Sequence, residues 1–233
     1  MKLFLLTIIV SICASASSPA TADEPEALFN GRDLSGWRGA ANLWSVEDGA
    51  ITGRTSDAAP LKSNSFLIHE KPVADFHLTF EYRIENGNSG VQYRSKVADE
   101  AEFIVAGYQA DIDATGRYNG IHYEERGRGI LAERGQVTVI GDAPPSDVLG
   151  TCGEPAALGE IVKAGEWNKY KIVAVGNHTM HFINGVLMSA VTDRGANVAK
   201  EGVLALQIHV GPAMKVQFRN IELKRLPPAA GQP

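Results

Sequence analysis

The chain of 233 residues holds only two cysteines, Cys13 and Cys152. Cys13 lies in an N-terminal stretch read below as removable, which leaves Cys152 alone. No intrachain disulfide can then form, and the fold has to be held by its core rather than by covalent staples. Basic residues are in the minority: 22 Lys and Arg against 27 Asp and Glu give a formal net charge of −5. With no basic stripe, the chain lacks the electrostatic footprint of a nucleic-acid binder. Heptads, repeats and long stretches of helical periodicity are missing too, which excludes coiled coils, solenoids and helical bundles.

One apolar run is present. LFLLTIIVSICA follows Lys2, and the small-x-small sequences Ala14-Ser15-Ala16 and Ala20-Thr21-Ala22 come after it. This is the layout of a secretory signal peptide cut after Ala16 or Ala22. The run is too short for a transmembrane anchor, which needs roughly 20 apolar residues. Ile12 stands where a small residue should precede a lipidated cysteine, so Cys13 does not read as a lipoprotein site. The expected organisation is a signal peptide over 1–22, one domain over 23–226 and a frayed tail over 227–233. The expected product is a soluble periplasmic or secreted protein without a membrane anchor.

Nearly every patterned segment has period two. In FHLTFEYRI, Phe76, Leu78, Phe80, Tyr82 and Ile84 alternate with His77, Thr79, Glu81 and Arg83. The cluster Asn86-Gly87-Asn88-Ser89-Gly90 reads as a turn, after which Val91 and Tyr93 alternate with Gln92 and Arg94. In YQADID, Tyr108, Ala110 and Ile112 alternate with Gln109, Asp111 and Asp113. In LALQIHVG, Leu204, Leu206, Ile208 and Val210 alternate with Ala205, Gln207 and His209. Asn184-Gly185 between HFI and VLM signals a two-residue hairpin, and a phase slip at Arg219-Asn220 signals a bulge. Only Ala156–Lys163 looks helical. Trp37, Trp44 and Trp167 read as core residues. The pattern predicts an all-β antiparallel β-sandwich of jelly-roll type. Residues 114–165 break the rhythm and read as a lobe near one face.

The polar phases of four segments form a candidate site: Glu81 and Arg83, Gln92 and Arg94, Gln109 with Asp111 and Asp113, and Gln207 with His209. If these strands are neighbours, one sheet face carries amides, carboxylates and guanidinium groups, which suit a polyhydroxylated ligand. The bland reading stands beside it, because any half-solvated sheet has a polar outer face. Glu81–Arg83 can be a plain ion pair, Asp113-Ala-Thr-Gly a turn, and His209 a structural histidine. His69, His77, His178 and His181 show no metal-ligand spacing and read as surface or packing groups.

Several segments, taken in order, resemble a known family: FNGRDLSGW (29–37), LWSVEDGAITG (43–53), NSGVQYR (88–94), GYQADID (107–113), EWNKYKIVAVGNHTMHFING (166–185), LALQIHVG (204–211) and VQFRNIELKRL (216–226). They resemble the 3-keto-disaccharide hydrolase domain family, which implies a concanavalin-A-like jelly roll and an exported carbohydrate-active enzyme. By that resemblance Arg94, Gln109, Asp111, Gln207 and His209 fall on the sugar-facing sheet. Gly107 departs from the pattern, because the family often carries Glu there.

The implied chemistry starts from a ketone at C3, which acidifies the C2 hydrogen. A base removes that proton, the enediolate expels the C1 oxygen, and water adds. Such a route needs a base, an oxyanion stabiliser and help for the leaving group. The resemblance assigns His209 as base or acid, with Asp111 or Glu81 as the competing base. Arg94 and Arg83 would stabilise the enediolate, while Gln92, Gln109, Asp113 and Gln207 contact the sugar. A divalent cation is an alternative for the arginines, though no decisive ligand set is visible. The implied partners are a small carbohydrate substrate and, for its supply, a sugar 3-dehydrogenase. Three rivals remain: a glucanase-type hydrolase, for which Gln109-Ala-Asp111-Ile-Asp113 lacks the acids; a non-catalytic carbohydrate-binding module; and a structural domain without a small ligand.

Overall fold

The alternation is carried into strands almost unchanged in the computed structural model, which describes residues 24–227. The expected leader, and all of the expected tail beyond Pro227, lie outside the described residues. In chain order the strands are β1 (Glu26–Ala27), β2 (Trp37–Arg38), β3 (Trp44–Glu47), β4 (Ala50–Arg54), β5 (Ser65–His69), β6 (Phe76–Glu85), β7 (Asn88–Asp99), β8 (Ile104–Asp113), β9 (His122–Glu125), β10 (Gly129–Ala132), β11 (Gln136–Ile140) and β12 (Asp147–Thr151). A short helix, α1 (Pro155–Gly159), then leads to β13 (Asn168–Val175), β14 (His178–Ile183), β15 (Val186–Asp193), β16 (Val203–Ile208) and β17 (Lys215–Arg225).

Two sheets result. The first runs β12-β11-β15-β14-β13-β6-β17-β4-β3, with β1 beside β17; the second runs β10-β9-β8-β7-β16-β5-β2. Pairing is antiparallel except where β11 lies parallel to β15. The core fills the space between the sheets. From β6, Phe76, Leu78, Phe80 and Tyr82 are fully buried, while His77, Thr79, Glu81 and Arg83 stay partly exposed. Phe80 stacks on Tyr170 of β13 with centroids 5.2 Å apart. Val91, Tyr93, Tyr108, Ala110, Ile112, Leu204, Leu206 and Ile208 close the core from the second sheet. Each of the larger aliphatic and aromatic side chains contributes about 1.5–3 kcal/mol on burial, which is how the described residues hold together with Cys152 a free thiol.

The predicted hairpin is present, with Asn184 and Gly185 at φ 50° and 84°, the left-handed pair a type I′ turn requires. The predicted bulge is present too: the β17–β6 register shifts between Arg219 and Glu222, and Asn220 sits at φ 50°. Four readings need correction. Residues 114–165 do not form a lobe near one face but join both sheets: β9 and β10 extend the second, while β11 and β12 extend the first. Their strands are too short for alternation to reveal. Helix α1 spans Pro155–Gly159, so of the expected Ala156–Lys163 stretch only the first four residues are helical. Val210 is 38 % exposed because β16 ends at Ile208 and the alternation ends with it. Trp37 and Trp44 are buried as expected. Trp167 is only partly covered, with the Arg219 and Arg83 guanidinium carbons 3.9 and 5.0 Å from its ring centroid.

The core also contains a polar pair. His122 of β9 and His181 of β14 stack with centroids 3.4 Å apart. Tyr93 Oη lies 3.1 Å from His181 Nε2, and Ser189 Oγ and Thr179 Oγ1 lie 2.8 and 2.9 Å from the His122 nitrogens. Burial pushes the His181 imidazole down to about 3 and His122 well below its ordinary value, so both are neutral. His181 is thus a packing residue, as its spacing suggested.

Candidate active site

The outer face of the second sheet is divided in two. Gln92, Gln109, Gln207 and Tyr123 share that face through the rungs Gln92↔Gln109, Gln109↔Tyr123, Ala205↔Gln92 and Gln207↔Phe66. One half is filled by Phe66, Ile68, Val105 and Ala205, a small apolar cluster covered by Val97, Phe103 and Val203. The other half is open as a cavity of about 530 Å³. Gln109, Asp111, Asp113 and His209 line it, together with Asn64, Asn88, Arg117, Tyr118, Tyr123 and Glu125. A volume of that order accommodates one or two sugar rings.

Asp111 occupies the floor and is only 5 % exposed. Its Oδ1 accepts Gln109 Nε2 at 3.1 Å and Asn88 Nδ2 at 3.3 Å. Its Oδ2 accepts no hydrogen bond among the described residues. Burial raises the carboxyl from an ordinary 3.8 to about 7, against the lowering effect of the two amides and with help from the Asp113 and Glu125 charges. A group that exchanges its proton near neutrality, with one oxygen free at a cavity, is equipped for acid–base work.

Gln109 is fixed from below. Gln207 Nε2 donates to Gln109 Oε1 at 3.1 Å, and the Gln92 amide lies 2.9 Å from the same oxygen. Gly90, the partner of Asp111 across β7 and β8, leaves room for it, since a Cβ there would come within 2.7 Å of Gln109 Cγ and Cδ. Glu125 closes the opposite side. Its carboxylate accepts Asn64 Nδ2 at 3.1 Å and Gln207 Nε2 at 3.5 Å. Glu125 also pairs with Gly107 across β8 and β9, so a glutamate does stand next to the position where the family pattern often has one.

Asp113 organises the rim. Its carboxylate accepts the backbone N–H groups of Thr115 and Tyr118 and the Thr115 hydroxyl, at 3.2, 3.2 and 2.6 Å. The turn reading of Asp113 therefore holds, although the residue also lines the cavity. The loop it shapes carries Tyr118, with the Arg117 guanidinium 4.9 Å from the ring centroid.

Three expected site residues lie elsewhere. Glu81 and Arg83 are on β6, which belongs to the other sheet between β13 and β17. There Glu81 pairs with Arg219 at 2.7 Å and Arg83 donates to Gln217 at 2.6 Å. Arg94 is on β7, but at φ 48° and where the β7–β8 register slips between Tyr93 and Lys96. The bulge turns its side chain out of the alternation. Its guanidinium is fully buried and donates to Ala74 O at 2.7 Å, Gly176 O at 2.6 Å and Asp75 Oδ1 at 2.5 Å. Arg94 is a structural cation, away from the cavity. Gln92 and Gln207 are fully buried beneath Gln109 rather than at the cavity wall.

Sequence reasoning missed Asn64, Asn88, Tyr118, Tyr123 and Glu125. Asn88 was absorbed into a turn and Asn64 precedes a strand. Tyr123 and Glu125 lie in the 114–165 stretch that breaks the alternation, and only the pairing of β9 with β8 shows that they face Gln109. Among the described residues no group of three or more His, Cys, Asp or Glu is placed to hold a metal ion, so the cation alternative gains no ligand set.

The fold and the sequence both have relatives among known proteins. A solved structure from Parabacteroides distasonis described as a putative glycosyl hydrolase aligns with a TM-score of 0.59 at 21 % identity, over 88 % of this chain and 96 % of that one. The carbohydrate-binding module CBM66 from Bacillus subtilis aligns with a TM-score of 0.52 at 18 % identity, over 81 % and 95 %. Both share the fold, a concanavalin-A-like jelly roll. A protein of Bacteroides thetaiotaomicron named 3-keto-disaccharide hydrolase is 28 % identical over 185 residues, 72 % of this chain and 58 % of its own length. The chain thus spans little more than half of that relative. Residues 24–224 match the 3-keto-alpha-glucoside-1,2-lyase-like domain, and the chain belongs to that family.

Proposed function

We propose that the protein is an exported carbohydrate-active enzyme that cleaves the glycosidic bond of 3-keto glycosides or disaccharides. The observation that carries this reading is the Asp111 carboxyl: buried, exchanging its proton at about 7, with Oδ2 unpartnered at a sugar-sized cavity. Family membership and the name of the Bacteroides relative supply the substrate class. The apolar run after Lys2 supports export.

With Arg94 and Arg83 outside the cavity, another group has to carry the oxyanion role. In its protonated form Asp111 does so, donating from Oδ2 to the C3 oxygen as negative charge develops there. His209 takes the C2 proton. The C1–O bond then breaks with its electron pair leaving on the aglycone, which receives the proton from His209. Water adds across C1 and C2, placing hydroxyl on C1 and hydrogen on C2. Gln109 and Asn88 orient Asp111, while Tyr118 and Tyr123 offer faces to the sugar. Those two tyrosines also favour a second reading, a non-catalytic carbohydrate-binding module.

Incubation of 3-keto and unmodified forms of one disaccharide in D₂O tests both. The expected result is cleavage of the 3-keto form alone, with deuterium on C2 of the released 3-keto sugar, under conditions where free 3-keto sugar does not exchange. Cleavage without C2 deuterium rules out elimination, equal cleavage of both forms indicates an ordinary glycosidase, and binding without turnover indicates the module.

A further inference from the structure

His209 stands one residue past the end of β16, so the hydrogen-bonded ladder does not place it. The last rung is Ile208↔Ser65, and the residue opposite His209 in that register is Asn64. No strand pairing joins those two residues. A side-chain amide makes the connection instead: Val210 N donates to Asn64 Oδ1 at 2.9 Å, and Asn64 Nδ2 donates to Glu125 Oε1 at 3.1 Å. The orientation of that amide is unambiguous, because one end meets an N–H and the other a carboxylate.

Val210 also determines which nitrogen of His209 is free. His209 Nδ1 lies 2.5 Å from Val210 O. A carbonyl only accepts, so Nδ1 carries a proton, and in the neutral imidazole the lone pair is then on Nε2. The segment that holds the imidazole in this form is tied to the sheet through the Val210 N–H bond to Asn64, and Gly211 follows it at once at φ 151°. We propose that Asn64 is a positioning residue for His209: by bridging Val210 and Glu125 it replaces the missing rung, fixes the imidazole at the cavity and preserves the tautomer with a free Nε2. The inference rests on the reading in which His209 is the base.

The test combines spectroscopy without substrate and kinetics with a 3-keto disaccharide. In the wild-type protein the ¹⁵N shifts of His209 should report the Nδ1–H tautomer. Asn64→Ala should give a mixture of tautomers and lower kcat by roughly 10–100-fold, the scale of a misplacement of about 1 Å, with KM changed by less than about 3-fold. Asn64→Asp keeps an acceptor for Val210 N but sets a second carboxylate against Glu125, so the bridge is lost and the tautomers should mix here too. Adding Asn64→Ala to His209→Ala should cost nothing more. A wild-type tautomer and kcat in Asn64→Ala overturns the proposal, as does an Asn64→Ala loss that persists in full without His209. If His209→Ala is itself fully active, the base assignment fails, and the tautomer signal alone still decides what Asn64 does.

Discussion

Gln109 Nε2 donates to Asp111 Oδ1 at 3.1 Å from a residue that is itself 2 % exposed. Two residues apart on one strand face, the amide and the carboxyl set each other: the amide holds one oxygen still and leaves the other to the cavity. The same bond lowers the proton affinity that burial raises.

Asp111→Asn should lower turnover by about 10²–10⁴-fold, the usual worth of a general acid–base group. In the wild type, kcat/KM should decline as pH rises through about 7, where the carboxyl loses the proton it donates. That alkaline limb should be missing from the residual activity of the variant, and a limb that stays in place would assign it to another group.

The same substitution should stabilise the fold. The unfolded chain releases the Asp111 proton near 3.8, the folded protein only near 7. Between those values the folded state binds more protons, so this group's contribution to stability falls as pH rises across the window and stays low above it. At about 1.4 kcal/mol per tenfold change in proton affinity, the cost above neutrality is on the order of a few kcal/mol. Thermal melting should show Asp111→Asn above wild type at about pH 8 and close to it near pH 4. Equal melting at both values would mean that the carboxyl is not desolvated.

Gly90→Ala adds one methyl group 2.7 Å from Gln109 Cγ and Cδ. The amide should be pushed off Asp111, releasing the bond that lowers its proton affinity. Turnover should drop by roughly 10-fold or more, and the alkaline limb of the pH profile should move upward. An unmoved limb would show that Gln109 yields without letting go of Asp111.

Arg94→Met should unfold the protein more readily without altering the cavity. It strips the Arg94 cation from Asp75 and leaves the carbonyls of Ala74 and Gly176 without their guanidinium donor. Removing one partner of a buried pair costs about 3–5 kcal/mol, readable by denaturant titration. Sugar binding per folded molecule should be unchanged.

The His122–His181 pair should make the fold acid-sensitive. Both imidazoles are neutral in the folded state and titrate near 6.5 when unfolded, so the unfolded chain takes up protons first as pH falls. Stability is fully present above about 6.5 and is lost progressively toward 3. Measured in an Asp111→Asn background, where the opposing carboxyl is silent, denaturant stability should fall steeply over this range, and His181→Gln should flatten the slope.

Local chemistry already determined much of this. Period-two patterning placed Gln109, Asp111 and Asp113 on one face of one strand, because a strand turns successive side chains to opposite sides. Asn184-Gly185 fixed its hairpin through two residues that tolerate positive φ. Other features depended on the partners each strand finds. Alternation separates the two faces of a strand but does not say which sheet the strand joins, so Glu81 and Arg83 looked like neighbours of Gln109 although β6 lies in the opposite sheet. A bulge at Arg94 inverted the face that its phase implied, and the cause is a slip against β8 and β16 that no single strand contains. Asn64, Asn88 and Glu125 reach the site only because β5, β7 and β9 are brought beside β16 and β8. The proton affinity of Asp111 was set last, since desolvation needs the whole cavity around the carboxyl, and that enclosure exists only in the folded molecule.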